Sequence, residues 1–164
     1  MNPWYIITLL GEPALWLIFT GVLLVIYLFM RKGLDNEKKA FVKKCFFVFG
    51  ISIWLTIGAV GIIKANTQME RPCVMCTSGT TECNPHCPFD TSFPSGHSAV
   101  IFAVFTAFHI CIKRKWFMPF FGVPALVALS RYALEVHYVS DIVVGSIIGA
   151  TVPLLVLKLY EKKS

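Results

Sequence analysis

Five apolar runs, at residues 13–30, 45–63, 96–112, 116–129 and 142–157, carry no formally charged residue. Charged or turn-forming residues separate them. A helix needs about 20 apolar residues to cross a bilayer. The first two runs approach that length, with Pro13 at a first helical turn where proline is tolerated. The last three are shorter and reach it only with polar residues at membrane depth, and such residues carry a functional expectation. The pattern therefore predicts an all-α, polytopic transmembrane helical bundle of about five spans: 13–30, 45–63, 96–112, 116–136 and 140–160. Residues 1–11 are apolar but too short to span. Gly11-Glu12-Pro13 breaks them from the first span, and Trp4 and Tyr5 suit a segment lying in the interface. No basic stretch precedes the first apolar residues, so a cleaved signal peptide is not expected. The polar stretch 65–94 reads as a loop, and the whole chain as one domain.

Composition agrees with this picture. The 164 residues are 56% hydrophobic and 15% charged, against about 25% charged in an ordinary soluble domain. The net charge of +6 admits a nucleic-acid partner until its placement is considered. Twelve of the fifteen basic residues fall in segments that five spans place on one side: Arg31, Lys32, Lys38, Lys39, Lys43 and Lys44, then 113–115, then Lys158, Lys162 and Lys163. Positive loops stay cytoplasmic. The N-terminus is thus expected outside and the C-terminus inside, the charge sets topology, and no nucleic-acid partner is expected. Lys64, Arg71 and Arg131 are the three left on the outer face.

Those three exceptions stand in three short segments at the same end of the bundle. Lys64 is followed after six residues by Arg71-Pro72; Pro94-Ser95-Gly96-His97 opens the third span; Ser130-Arg131 is followed after five residues by His137 and three later by Asp141. Lys and Arg neutralise phosphate, Arg through a two-oxygen fork. A helix start at Ser95-Gly96 offers backbone N–H groups to an anion. Asp141 stands four residues from His137, and the two share a face if the fifth helix starts near them. The carboxylate holds one imidazole nitrogen protonated and leaves the other to attack. His97 then supplies the proton for a leaving oxygen. The collection points to metal-free phosphoryl transfer; the outer-face carboxylates are scattered and do not form a two-metal set.

The three segments together resemble the signature of the type 2 phosphatidic acid phosphatase superfamily, Lys-x6-Arg-Pro, Pro-Ser-Gly-His and Ser-Arg-x5-His-x3-Asp, with all eleven fixed identities in place. The resemblance covers residues 64–141. It implies that His137 attacks phosphorus to form a phosphohistidine, that Asp141 orients it, and that His97 protonates the leaving oxygen and then activates water. Lys64, Arg71, Ser95, Gly96 and Arg131 would bind the phosphate oxygens, with no metal or other cofactor. Many membrane members have six spans, whereas this chain has five and the short leading segment.

Four cysteines, Cys73, Cys76, Cys83 and Cys87, fall in the outer loop. On an oxidising side they read as two disulfides, with a structural zinc site from the same thiolates as the rival. A nested pairing of Cys73 with Cys87 and Cys76 with Cys83 is one of three possible. Either staple would fix Arg71 relative to Ser95 and His97. Cys45 and Cys111 lie toward the other side and are expected as thiols. His109 is expected to be a packed residue, and Glu12, Glu135 and His86 receive no site role. The expected activity is hydrolysis of a membrane lipid phosphate at the outer face of the plasma membrane, a polyprenyl diphosphate first, then phosphatidic acid or phosphatidylglycerol phosphate. The bilayer and this lipid are the expected partners. The rivals are a lipid-linked phosphotransferase using the same histidine and a non-enzymatic lipid-phosphate binder or transporter.

Overall fold

A computed structural model describes residues 3–74, 87–112 and 115–163. Their regular structure is helical: α1 (Pro3–Thr8), α2 (Pro13–Met30), α3 (Asn36–Thr67), α4 (Gly96–Ile112), α5 (Gly122–Ala133) and α6 (Val139–Lys163), with 3₁₀ turns at Leu9–Gly11, Pro72–Val74 and Lys115–Phe121. Cys76 and Cys83, and with them the nested pairing as a whole, lie outside the described residues, as does His86.

Three helices, α2, α3 and α6, have both the length and the apolar character to cross a membrane; α4, at 17 residues, is apolar but shorter. The outward face is apolar, with Phe29 82% and Ile62 69% exposed, as a lipid-facing surface requires. Helix α3 is much longer than the expected 45–63. The Asp35 carboxylate accepts the Lys38 N–H at 2.8 Å and starts the helix nine residues early, through a charged but helix-favouring stretch. The expected span 116–136 is split instead. Pro119 has no N–H to donate and its ring crowds the preceding turn, which interrupts the α-helix; Lys115–Phe121 is a 3₁₀ turn and α5 is only 12 residues long.

Helix α4 stands at the centre. Val100, Val104, Ala107 and Ile110 pack with Val48, Phe49 and Ile53 of α3 and Val156 of α6. His109 sets its ring edge-on to Phe121, as a packed histidine. The α4–α6 seam is closest. A Cβ on Gly145 would lie 2.5 Å from the Ser95 carbonyl oxygen, and one on Gly149 2.0 Å from that of Ala99. Glycines four apart thus remove the side chains that would hold two backbones apart.

The leading segment packs onto the bundle: Trp4 and Tyr5 pack on Cys73, Leu134 and Val136, and Trp16 Nε1 donates to the Leu10 carbonyl at 2.6 Å. At the far end of the bundle, Lys44 Nζ meets Glu161 at 2.7 Å, joining the start of α3 to the end of α6. The three motif segments all lie at the opposite end.

Candidate active site

The site is built where α3 ends and α4 and α6 begin. Ser95 caps α4: its hydroxyl accepts from Ser98 Oγ at 3.0 Å and from the Ser98 N–H at 3.4 Å. Its own N–H donates to the Asp141 carbonyl at 3.0 Å, made possible by the glycine seam below. The Ser95 side chain therefore serves the helix start. The N–H groups of Gly96 and His97 belong to the four at a helix start that the helix itself does not bond, and a helix start of this kind can hold an anion. A Cβ on Gly96 would meet only Val60, at an ordinary 3.8 Å, so protein packing does not demand glycine there.

Asp141 is fully buried in the first turn of α6. Its Oδ2 accepts from Ser92 Oγ at 2.5 Å and from the Tyr138 N–H at 2.9 Å, and lies 3.4 Å from His137 Nδ1. The other ring nitrogen, Nε2, is 3.1 Å from Arg71 Nη1. Since a guanidinium can only donate, Nε2 is the acceptor and the proton sits on Nδ1, toward the carboxylate. Burial, reinforced by the charges of Arg71, Arg131 and Lys64, pushes the His137 pKa down to about 2. The imidazole is therefore neutral at physiological pH, with a lone pair on the nitrogen that faces the cations. His97 also acts on His137 electrostatically, so the two histidines share one pocket of charge.

A tight turn brings His137 there. Glu135 adopts a left-handed φ of 55°, and the Val136 N–H reaches back to the Arg131 carbonyl at 3.2 Å, closing α5. The chain then reverses between Arg131 and His137. Arg131 is 6% exposed; its Nη1 donates to Thr8 Oγ1 at 2.8 Å, while its buried Nε has no partner among the described residues. A buried guanidinium N–H in that state costs free energy until an acceptor reaches it.

Arg71 is equally buried. It donates through Nε to the Asp90 carbonyl at 2.9 Å, through Nη1 to the Val136 carbonyl at 2.8 Å and through Nη2 to the Asp90 carboxylate at 2.6 Å. Lys64 Nζ donates to the same carboxylate at 2.9 Å and to the Thr91 carbonyl. Burial opposes the charge on Asp90, but hydrogen bonds and Coulomb attraction from both cations outweigh it and hold its carboxyl below the usual carboxylate range. The Cys73–Cys87 disulfide closes the loop between Arg71 and Asp90. A cleft of about 420 Å³ opens beside His137, lined by Pro72, Tyr132, Ala133, Glu135, His137 and Tyr138.

Lys64, Arg71, Ser95, His97, Arg131, His137 and Asp141 thus converge on one end of the bundle. Sequence spacing missed four neighbours: Asp90, Ser92, Thr8 and Glu12. Ser92 and Asp90 precede Pro94 closely, so polar residues beside the motif were the available signal. Glu12 Oε2 stands 3.3 Å from His97 Nε2, and its one signal was a charge between two apolar stretches.

Residues 45–164 match the model of the PAP2 superfamily. The chain belongs to that superfamily. It is 29% identical over 167 residues to a lipid A 1-phosphatase of Rhizobium johnstonii, an alignment covering 96% of this chain and 66% of that protein. It is 40% identical over 81 residues to a PA-phosphatase related-family protein of Dictyostelium discoideum, covering 40% of this chain and 30% of the relative. The chain thus spans less than two thirds of these curated relatives. Its fold is similar to the crystal structure of a transmembrane PAP2 type phosphatidylglycerolphosphate phosphatase from Bacillus subtilis, with a TM-score of 0.66 at 24% identity, covering 99% of this chain and 77% of that one. Membership of the PAP2 superfamily accords with the motif resemblance and with a multi-pass membrane protein.

Proposed function

We propose that this chain is an integral-membrane lipid phosphate phosphatase that works through a phosphohistidine and without metal. The observation that carries the reading is the setting of His137: Nδ1 toward Asp141, Nε2 facing Arg71, in a buried cluster with Arg131 and Lys64. A phosphate entering this cluster meets Arg71, Lys64, the orphaned N–H of Arg131 and the α4 start. Its negative oxygens are neutralised before any bond changes, which is the larger part of phosphoryl-transfer catalysis. The His137 Nε2 lone pair then forms the bond to phosphorus. The imidazolium so created shares its Nδ1 proton with Asp141. His97 donates a proton to the departing lipid oxygen, and in the second step takes one from the water that releases phosphate.

The substrate we propose is a phosphorylated membrane lipid whose tail stays in the bilayer, with the site on the extracytoplasmic face of the plasma membrane. The placement of Lys44, Lys158 and Lys162 at the other end of the helices supports that orientation. A polyprenyl diphosphate is the first substrate to test. The Rhizobium relative adds lipid A bearing a 1-phosphate as the second, because its alignment runs over nearly all of this chain.

The test is phosphate release by purified protein in detergent with EDTA, on each of these lipids, beside His137→Ala. Release that EDTA spares and the variant loses by on the order of 10⁴-fold or more supports the mechanism. Release by the variant at the wild-type rate removes His137 from the role of nucleophile. Release abolished by EDTA removes the metal-free reading.

A further inference from the structure

We infer that Glu12, supplied by the segment before the first long helix, is a positioning residue for His97: its carboxylate holds the proton-bearing edge of that imidazole. The inference rests on the acid–base role of His97 proposed above. Glu12 Oε2 lies 3.3 Å from His97 Nε2, the one ring nitrogen of His97 with an ion-pair contact among the described residues. Glu12 is also the N-cap of α2, and its side chain makes no capping bond there.

The backbone beneath it is fixed. The Glu12 N–H donates to the Leu9 carbonyl at 3.1 Å, closing the 3₁₀ turn, and Pro13 confines Glu12 to the extended conformation it adopts, at φ −66° and ψ 118°. Gly11 seats the turn directly on the histidine. A Cβ there would stand 2.9 Å from His97 Cβ and 2.8 Å from Val127 Cγ1. Thr8, one turn earlier, accepts from Arg131. Three residues of one short segment therefore touch His97 or a phosphate-facing arginine.

The charges around His97 leave a place for a carboxylate. Arg131 of α5, Arg71 of the loop and Lys64 of α3 all act on the ring, as does the carboxylate of Asp90, which is itself held by Lys64 and Arg71. Glu12 sets a carboxylate against the edge of the ring, where it would favour the imidazolium that the first step requires. In the first step the P–O bond to the lipid breaks and the Nε2 proton passes to the leaving oxygen. In the second, water adds to phosphorus, the P–N bond to His137 breaks, and the water proton returns to Nε2. Glu12 fixes the ring at the start and end of each cycle.

A leaving-group comparison tests this. Initial rates are measured in mixed micelles for dioleoyl phosphatidic acid, whose alkoxide must be protonated to leave, and for p-nitrophenyl phosphate, whose nitrophenolate leaves unaided. Glu12→Gln is expected to lower kcat on the lipid by about 10²-fold with KM little changed. On the aryl phosphate the same variant stays within a few-fold of wild type, and Glu12→Asp recovers part of the loss on the lipid. Equal losses on both substrates, no loss on either, or a gain in rate would overturn the inference; a gain would make Glu12 an obstacle at Nε2. His97→Ala separates the two levels. If it keeps the lipid activity, the role of His97 fails and the inference with it. If it loses that activity while Glu12→Gln does not, the inference alone fails. A wild type inactive on both substrates overturns the proposed function and the inference together. Thermal unfolding in detergent checks that each variant is folded, and Glu12→Asp keeps the test open if the glutamine variant is not.

Discussion

The two ends of α3 carry the same chemical pair in different settings. At one end Lys38 meets Asp35 at 2.7 Å, with both side chains open to solvent, at 71% and 54% exposure. At the other Lys64 meets Asp90 at 2.9 Å with the lysine only 17% exposed, and a second cation, Arg71, shares the carboxylate. The first pair caps a helix, and water screens what remains of it. The second concentrates two cations around one anion beside a neutral histidine. Ion-pair geometry alone therefore does not distinguish the two ends. Burial of the cations and the company they keep do.

The comparison breaks most sharply at the buried cations. Arg71→Lys keeps the charge but loses the fork that reaches Asp90, Val136 and His137 together. We expect a fall in kcat/KM of about 10²-fold, and a similar fall for Lys64→Ala, read as initial rates in detergent. An unchanged rate in both would reduce the site end to a second structural pair. Next comes the glycine seam. Gly149→Ala places a methyl group against the Ala99 carbonyl and should destabilise by about 1–3 kcal/mol. Gly21→Ala on α2, where a Cβ meets nothing within 4 Å, should instead be neutral or stabilise by up to about 1 kcal/mol through helix propensity. Thermal unfolding of the two variants side by side tests whether the seam or glycine itself matters.

Acid separates the ends more gently. The folded pKa of His137 is depressed to about 2 from an ordinary 6.5, so between these values the unfolded chain binds the proton and the folded chain does not. Stability contributed here is complete above pH 6.5 and declines as pH falls below it. Asp90, held below the usual range, acts in the same direction at lower pH. Melting temperature should fall more between pH 7 and pH 5 for the wild type than for His137→Gln, and equal falls would contradict the buried neutral imidazole. The smallest effect belongs to the exposed pair. Lys38→Ala should cost no more than about 0.5 kcal/mol and leave activity unaltered.

The motif residues were legible because each segment carries its spacing within itself, and because topology brings three helix ends to one side. Asp141 four residues from His137 is such a case. The neighbours that complete the site come from elsewhere in the chain. No local period connects Glu12 with His97, or Thr8 with Arg131. Those contacts follow from how α1 and its turn fold back onto α4 and α5. Helix limits were partly legible. The apolar run 13–30 became α2 at the same residues, whereas Asp35 extended α3 into charged sequence that an apolar count excludes. Pro119 was visible, but its effect on the span 116–136 depended on whether packing would tolerate a kink.

The seam between α4 and α6 also says where this chain is free to vary. Phe29, Ile62 and Leu159 face outward and need only be greasy, so drift among large apolar residues there leaves the bundle intact. At 145 and 149 the alphabet shrinks to a single letter. The places of least chemical content, two bare hydrogens on the backbone, thereby set the distance between the capped helix start and the aspartate behind His137. Lipid contact fills most of the surface and tolerates many spellings, while the residues of the candidate site hang on positions that tolerate one.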